Sequence, residues 1–403
     1  MDMYAMAHVK AEFLPAKTIL MHEPSRELFL GVLHPDAALF EGYFSSTEAK
    51  LEHQAYRRSL LFKGVNVLTV RDILLLDTID IHGQMKEGDA LVKLRAFSKQ
   101  FLTYEVEGAN DEERAKQMAY LDCIIDQMHP MELVDVILFH PTVKLKKVDI
   151  NTKYTANYIL NPVMNLYFMR DQMTTTAKGI IINRMNSEQR YLETSIVAFC
   201  LGKLHIKPIH RIEGEGAYLE GGDFFPLGET ALIGCGLRTT QIAIDQLMEV
   251  DAFGTDTVVV VKDQWLNQQQ MHLDTYFNII DKDLCVLIDN RLKAKAGDKM
   301  YLKADIYKRT DGQYHKIRTA INFVHYLQDD LRMNIIPVSE EDQLHYGINF
   351  LTISPREIMA VEGVSDEYIK AFKEAGVVIN WIDFTNLTKG YGAAHCSTQV
   401  IRR

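Results

Sequence analysis

Ser365-Asp-Glu-Tyr-Ile-Lys-Ala-Phe-Lys-Glu-Ala-Gly376, followed by Val377-Val-Ile-Asn-Trp-Ile382, reads as a complete supersecondary unit. Ser365 is an N-cap, because its hydroxyl can satisfy an amide that the first helical turn leaves open. A helical face follows, and Gly376 ends it, glycine being the residue that most readily takes the left-handed conformation past a helix. A short apolar strand then begins. The same order recurs near the other end: helical spacing from Ser46 to Lys63, then Gly64, then Val65-Asn-Val-Leu-Thr-Val70 as a strand. Ala16-Lys-Thr-Ile-Leu-Met21 supplies a further strand before that helix. A unit written twice predicts an α/β fold with a repeated element, although the common solenoid periods are absent.

Between these ends the texture changes. Residues 71–145 carry charged helical periodicity, clearest from Asn110 to His129, and read as a mainly helical insertion between a first module at 1–70 and the remainder at 146–403. Strand-like runs return from Val148 onward, broken by glycines and asparagines. Linkers rich in proline or serine are absent, so the pieces are expected to pack into one body.

Composition narrows the classes. The chain has 403 residues, 47% hydrophobic and 24% charged, with a net charge of −10. That balance is globular, and the negative sign without a basic cluster excludes a general nucleic-acid binder. No run reaches the roughly 18 apolar residues of a membrane span, and the start lacks a basic region followed by an apolar one. The cysteines at 123, 200, 235, 285 and 396 are odd in number, scattered, and without a Cys-x-x-Cys pair. They read as free thiols of a reducing compartment, and a cytoplasmic location is expected.

The chemistry concentrates in four segments. Gly390-Tyr-Gly-Ala-Ala-His-Cys396 places a thiol on a glycine-flanked turn close to the last residue. The other cysteines, in settings such as Val197-Ala-Phe-Cys200 and Leu284-Cys-Val-Leu287, read as core. Asn165-Leu-Tyr-Phe-Met-Arg-Asp171, Glu220-Gly-Gly-Asp223 and Met271-His-Leu-Asp-Thr275 add carboxylates and an imidazole within strand-like sequence. On a strand His272 and Asp274 would share a face; on a helix they would diverge, and a hydrogen-bonded structural pair is the plainer alternative. Glu220-Gly-Gly-Asp223 is either a turn with a capping aspartate or a place where a ligand approaches the backbone closely. Asp171, if buried, needs a partner: Arg170 beside it, or a cationic ligand. Cys396 needs a cation or a base to ionise, and His395, adjacent in the chain, would face away on a strand. Together the four segments are an inventory for nucleophilic attack on a cationic carbon.

In this order they resemble the arginine deiminases of the guanidino-group-modifying superfamily, with Leu20-Met-His-Glu-Pro-Ser-Arg-Glu-Leu28 and the helical insertion adding to the likeness. The resemblance implies a five-bladed, pseudo-fivefold α/β-propeller of ββαβ units. By motif position it implies Cys396 as nucleophile and His272 as general acid and base. Asp171 and Asp274 would hold the guanidinium nitrogens, with Glu220 supporting substrate and histidine. Asn165 and Phe168 would line the pocket, and Arg190 and Arg238 would grip a substrate carboxylate. No metal or organic cofactor is implied, the partner is a small guanidino compound, and a homo-oligomer is allowed. Tyr391 stands where many members have an arginine, and Gly234-Cys-Gly-Leu-Arg-Thr239 replaces the common Gly-x-Ser-Glu-Arg-Thr. L-Arginine is the expected substrate. An amidinotransferase, a hydrolase of another guanidino or ureido compound, and a non-catalytic binder are the alternatives.

Overall fold

The computed structural model describes residues 7–148 and 153–403. Both ends of the chain form the expected unit. Helix Ser46–Phe62 is capped by Ser45, which accepts from the Glu48 amide, and Ser365 does the same for helix Asp366–Glu374 through Tyr368. Gly64 and Gly376 follow with φ of 79° and 73°, a region where a side chain would strain the backbone. The strands after them, Asn66–Thr69 and Val378–Ile382, start one residue later than their apolar runs. Helix Asp366–Glu374 turns Tyr368 and Phe372 inward, their rings stacked 4.0 Å apart. Burying a ring such as that of Phe372 contributes about 1.5–3 kcal/mol.

The same connectivity occurs five times among the described residues. Phe224–Leu227 and Thr230–Cys235 pair antiparallel, helix Gln241–Glu249 crosses over, and Thr257–Lys262 returns parallel to the middle strand. Met173–Thr175, Ile180–Ile182, helix Tyr191–Lys203 and His210–Arg211 repeat it, as do Leu351–Ser354, Glu357–Val361, helix Asp366–Glu374 and Val378–Ile382. In the unit of Phe277–Asp281, Leu284–Ile288 and Asn334–Val338, the crossover carries a long hairpin, Lys303–Thr310 with Gln313–Asn322. That hairpin leaves its own unit and extends the neighbouring sheet by pairing with Thr257–Lys262. The remaining unit is assembled from both ends of the sequence: Gln399–Arg402 lies antiparallel to Thr18–Met21, which pairs parallel with Asn66–Thr69. The middle strands are almost wholly apolar and buried, as strands covered on both faces must be.

The insertion is less helical than its composition suggests. Helices Val70–Leu75, Asp89–Ser98, Asp111–Gln127 and Pro130–Phe139 are present, the third opened by an Asn110/Glu113 capping box. With them goes a three-stranded sheet of Thr103–Glu107, Pro141–Lys147 and Tyr154–Leu160. Its strands are largely exposed; Thr103–Glu107 and Pro141–Lys147 carry charged residues in place of the β-branched clusters that would have marked them, and Tyr154–Leu160 is uncharged. Two cysteines also depart from the core reading: Cys123 is exposed on helix Asp111–Gln127 and Cys235 is only half-buried.

Helix Ser46–Phe62 also anchors the segment before the thiol. The buried Glu52 carboxylate accepts from Asn386 N, Asn386 Nδ2 and Leu387 N at 2.6–3.0 Å. Glu52→Ala strands these donors and is expected to lower the unfolding free energy by about 2 kcal/mol, read by denaturant titration.

Candidate active site

Each of the five units is entered through a turn, and the polar segments occupy those turns. Asn165 to Asp171 leads into Met173–Thr175, Glu220 to Asp223 into Phe224–Leu227, and His272 to Thr275 into Phe277–Asp281. Cys396 precedes Gln399–Arg402, and Asn349 precedes Leu351–Ser354. The strand reading of these segments is therefore replaced by turns. Gly221–Asp223 and Leu273–Thr275 are single 3-10 turns, and residues 164–172 run through turns and a bend. Side-chain bonds to backbone compete with the strand ladder here: Asp223 Oδ1 accepts from Leu273 N at 2.9 Å and fixes the start of the histidine turn.

The turns deliver buried side chains to one narrow cavity of about 30 Å³, lined among others by Asn165, Phe168, Asp171, Arg190, Arg238, His272, Tyr391 and Cys396. Glu220 and Asp274 stand one hydrogen bond behind it. Glu220 Oε2 is 2.8 Å from His272 Nε2, and its Oε1 accepts from Asn186 N at 3.0 Å. Asp274 Oδ2 lies 3.5 Å from Cys396 Sγ, while its Oδ1 has no partner despite full burial. His272 and Asp274 thus come from a turn rather than a strand, and both side chains still flank Gly222.

Asp171 is not paired with Arg170. Its Oδ2 accepts from Arg190 Nη1 at 2.9 Å, and its Oδ1 faces Gly222 N at 3.3 Å and His272 Nδ1 at 3.9 Å. Arg190 is held on its other side by both oxygens of Glu193. Arg170 turns away, its Nε donating to His395 O at 3.2 Å. Arg238 is half-buried on the cavity wall, with Gln268 Oε1 3.4 Å from its Nη2. Asn165 Nδ2 donates to Ala38 O at 3.0 Å, and Phe168 packs against Tyr167.

Charge sets the protonation states. Burial opposes a charged His272, but Asp171, the hydrogen bond to Glu220, and Asp223 outweigh it and lift the imidazole to about 10. Burial likewise opposes ionised Glu220, yet bonding to His272 brings it down to about 2. Burial, then Asp274 and Asp171, push the Cys396 thiol well above its ordinary value. These shifts leave the histidine charged and the thiol neutral. Asp171, Glu220 and His272 have donor atoms within 4.8 Å of one another and are the residues that could hold a metal ion. The hydrogen bond already made between Glu220 and His272 suits a proton-carrying pair better.

Asn349 was not evident from sequence. Its Oδ1 accepts from Ala393 N at 3.0 Å and Cys396 N at 3.2 Å, and its Nδ2 donates to Asp274 O and Cys396 Sγ, both at 3.1 Å. One amide thus shapes the cysteine turn and places a donor on the sulfur. The signal that could have found it is positional: it holds, in its own unit, the place of the other four polar segments.

Among the described residues no helix is long and apolar enough to cross a membrane. A model of the arginine deiminase family matches residues 36–403. The arginine deiminase of Halobacterium salinarum is 24% identical, covering 98% of this chain and 96% of its own. That of Metamycoplasma arthritidis is 29% identical over 68% of this chain and 66% of its own. Among solved structures, dimethylarginine dimethylaminohydrolase from Pseudomonas aeruginosa, complexed with citrulline, aligns with a TM-score of 0.55 at 15% identity, covering 96% of this chain and 99% of that one. A saxitoxin-pathway amidinotransferase from Microseira wollei aligns with a TM-score of 0.56 at 12% identity, covering 98% and 97%. At these identities the structural likeness is one of fold: mixed α/β.

Gly222 supplies a test of how tightly the site is built. A Cβ there would lie 2.8 Å from His272 Nδ1 and 3.1 Å from Asp274 Oδ1. Gly222→Ala is expected to cost about 1–3 kcal/mol by overpacking and to move the His272 ring, seen by denaturant unfolding and by a shift of the ring's NMR resonances.

Proposed function

The chain belongs to the arginine deiminase family, and from that premise we propose that it hydrolyses the guanidino group of L-arginine to L-citrulline and ammonia. The observation that carries this reading is that Cys396 and His272, far apart in sequence, line one buried cavity with Asp171 between them and the cationic groups Arg190 and Arg238. The five repeated units are inferred to stand as blades of a propeller around that cavity, since each contributes its entry turn to the same place.

A planar cation fits the carboxylates. Asp171 and the unpartnered Oδ1 of Asp274 give charge-assisted hydrogen bonds that fix the guanidino carbon before the sulfur. Substrate takes Asp171 over from Arg190, which is then released, beside Asn165 and Arg238, for the substrate carboxylate. The arriving positive charge also offsets the two acids that keep Cys396 protonated, so substrate itself favours the thiolate.

As substrate fills the site Cys396 gives its proton to solvent, and attack by the thiolate forms an S–C bond and a tetrahedral carbon while the C=N double bond becomes single. His272, charged at neutral pH, gives its proton to the departing nitrogen; the C–N bond breaks and ammonia leaves. Neutral His272 then takes a proton from water, whose oxygen attacks the amidino-thioether carbon. The S–C bond breaks, releasing citrulline and restoring the thiol. Glu220 holds the imidazole in orientation and stabilises its charged form.

Two outcomes are expected. Cys396→Ala abolishes citrulline formation, followed by mass spectrometry, while leaving arginine binding measurable by calorimetry; unchanged turnover overturns the assignment. The acid form of His272 is present below about 10 and is lost as pH rises through that value. Glu220→Gln removes a supporting charge, so the alkaline limb of the pH–rate profile moves to lower pH; an unmoved limb contradicts the role given to the pair.

A further inference from the structure

His395 is next to the nucleophile in the chain and takes no part in the steps above. Its ring is fully buried and stacked on Phe225, 5.3 Å away and 13° from parallel. Nδ1 lies 2.6 Å from Asp274 Oδ2, and Nε2 points toward Glu12 Oε1 at 3.7 Å. The backbone is pinned as well, with His395 N donating to Asn349 O and His395 O accepting from Arg170 Nε. Behind the ring, Glu12 is paired with Arg403, whose Nη1 donates to Leu14 O and Thr352 O at 2.8 and 2.7 Å. With one ring nitrogen on Asp274 and the other toward Glu12, neither serves as base for the thiol.

Asp274 therefore has two unlike oxygens. Oδ2 is taken by the His395 ring and faces the Cys396 sulfur; Oδ1 has no partner. A carboxylate buried to this extent takes up a proton unless something holds its charge, and a protonated one cannot pair with a guanidinium. We propose that His395 is a positioning residue that keeps Asp274 ionised and turned so that Oδ1 is presented to the guanidinium of the substrate. The inference rests on the hydrolase reading above. Burial raises the Asp274 carboxyl, but the His395 hydrogen bond leads the contributions that hold it below its ordinary value. The charged and titratable groups around the pair are His272, Cys396, Asp171, Asp223, Glu220, Arg170, Arg190, Glu12 and Arg403. Of these, Cys396 Sγ reaches Asp274 Oδ2 at 3.5 Å, and His395 Nδ1 is nearer at 2.6 Å.

Asparagine and glutamine separate a positioning role from a space-filling one. An asparagine amide places its nitrogen near the His395 Nδ1 position, and a glutamine amide places it near Nε2. In a Cys396→Ala background, binding of L-arginine and of methylguanidine is measured by calorimetry from mildly alkaline to mildly acidic pH. His395→Asn is expected to bind close to the parent. His395→Gln is expected to bind as the parent does at mildly alkaline pH and about tenfold more weakly one pH unit below the point at which its Asp274 carboxylate takes up a proton. The gap should widen as pH falls, because the carboxylate is lost on the acid side. Equal binding by the two variants across the range overturns the proposal, as would a common loss with no dependence on pH. A second reading leaves position 395 intact: the downfield ring N–H resonance of His395 is expected to shift on Asp274→Asn, and an unmoved resonance also overturns it. Parent protein that binds both compounds, while its Cys396 form releases no citrulline, sinks the hydrolase reading but not this one.

Discussion

The site depends on the pairing of the last strand with the first. Gln399–Arg402 joins Thr18–Met21 antiparallel, and this completes a unit whose other members lie at the far end of the chain. Four units are entered by turns arising within 146–403; the fifth exists only when the chain closes on itself. Cys396 sits in the turn that this closure creates, which explains how a residue so late in the sequence reaches the centre. The side chain of Arg403, buried against Glu12 and the Leu14 and Thr352 carbonyls, fastens the same junction from beyond the strand.

Once the turns converge, electrostatics sets the limits. Asp171, Glu220, Asp223 and Asp274 are all buried within reach of one imidazole. So many acids in a dry space are unfavourable unless cations answer them. His272 and Arg190 answer from inside, and an incoming flat cation adds to them. The low acidity of the thiol has the same acids, Asp274 and Asp171, among its causes. Asp223 shows the opposite regime: burial pushes it up to about 6, and one of its oxygens serves a backbone amide while the other is unpaired.

Much of this was legible in the sequence, for physical reasons that differ by element. N-caps followed by a helical face and a terminal glycine are local chemistry, so the helices at Ser46–Phe62 and Asp366–Glu374 could be placed closely. Strands Thr103–Glu107 and Pro141–Lys147 are largely exposed and carry charges, so hydrophobic pattern had little to report there. The segments around Asp171 and His272 look like strands because they abut buried ones, but their side chains bond to backbone and curl them. Partners were the least legible part. Asp171 takes Arg190, nineteen positions on, rather than its neighbour, and Asn349 carries no motif of its own. Both follow from how units are arranged in space, which residue spacing does not encode.

The size of the cavity bears on how substrate reaches it. At about 30 Å³ it holds a water molecule and little more, and Gly390 and Tyr391 on its wall follow Lys389, whose carbonyl accepts from Glu41 N at 2.7 Å. An arginine side chain enters only as these walls part. The shape that receives the substrate is therefore wider than the shape it meets.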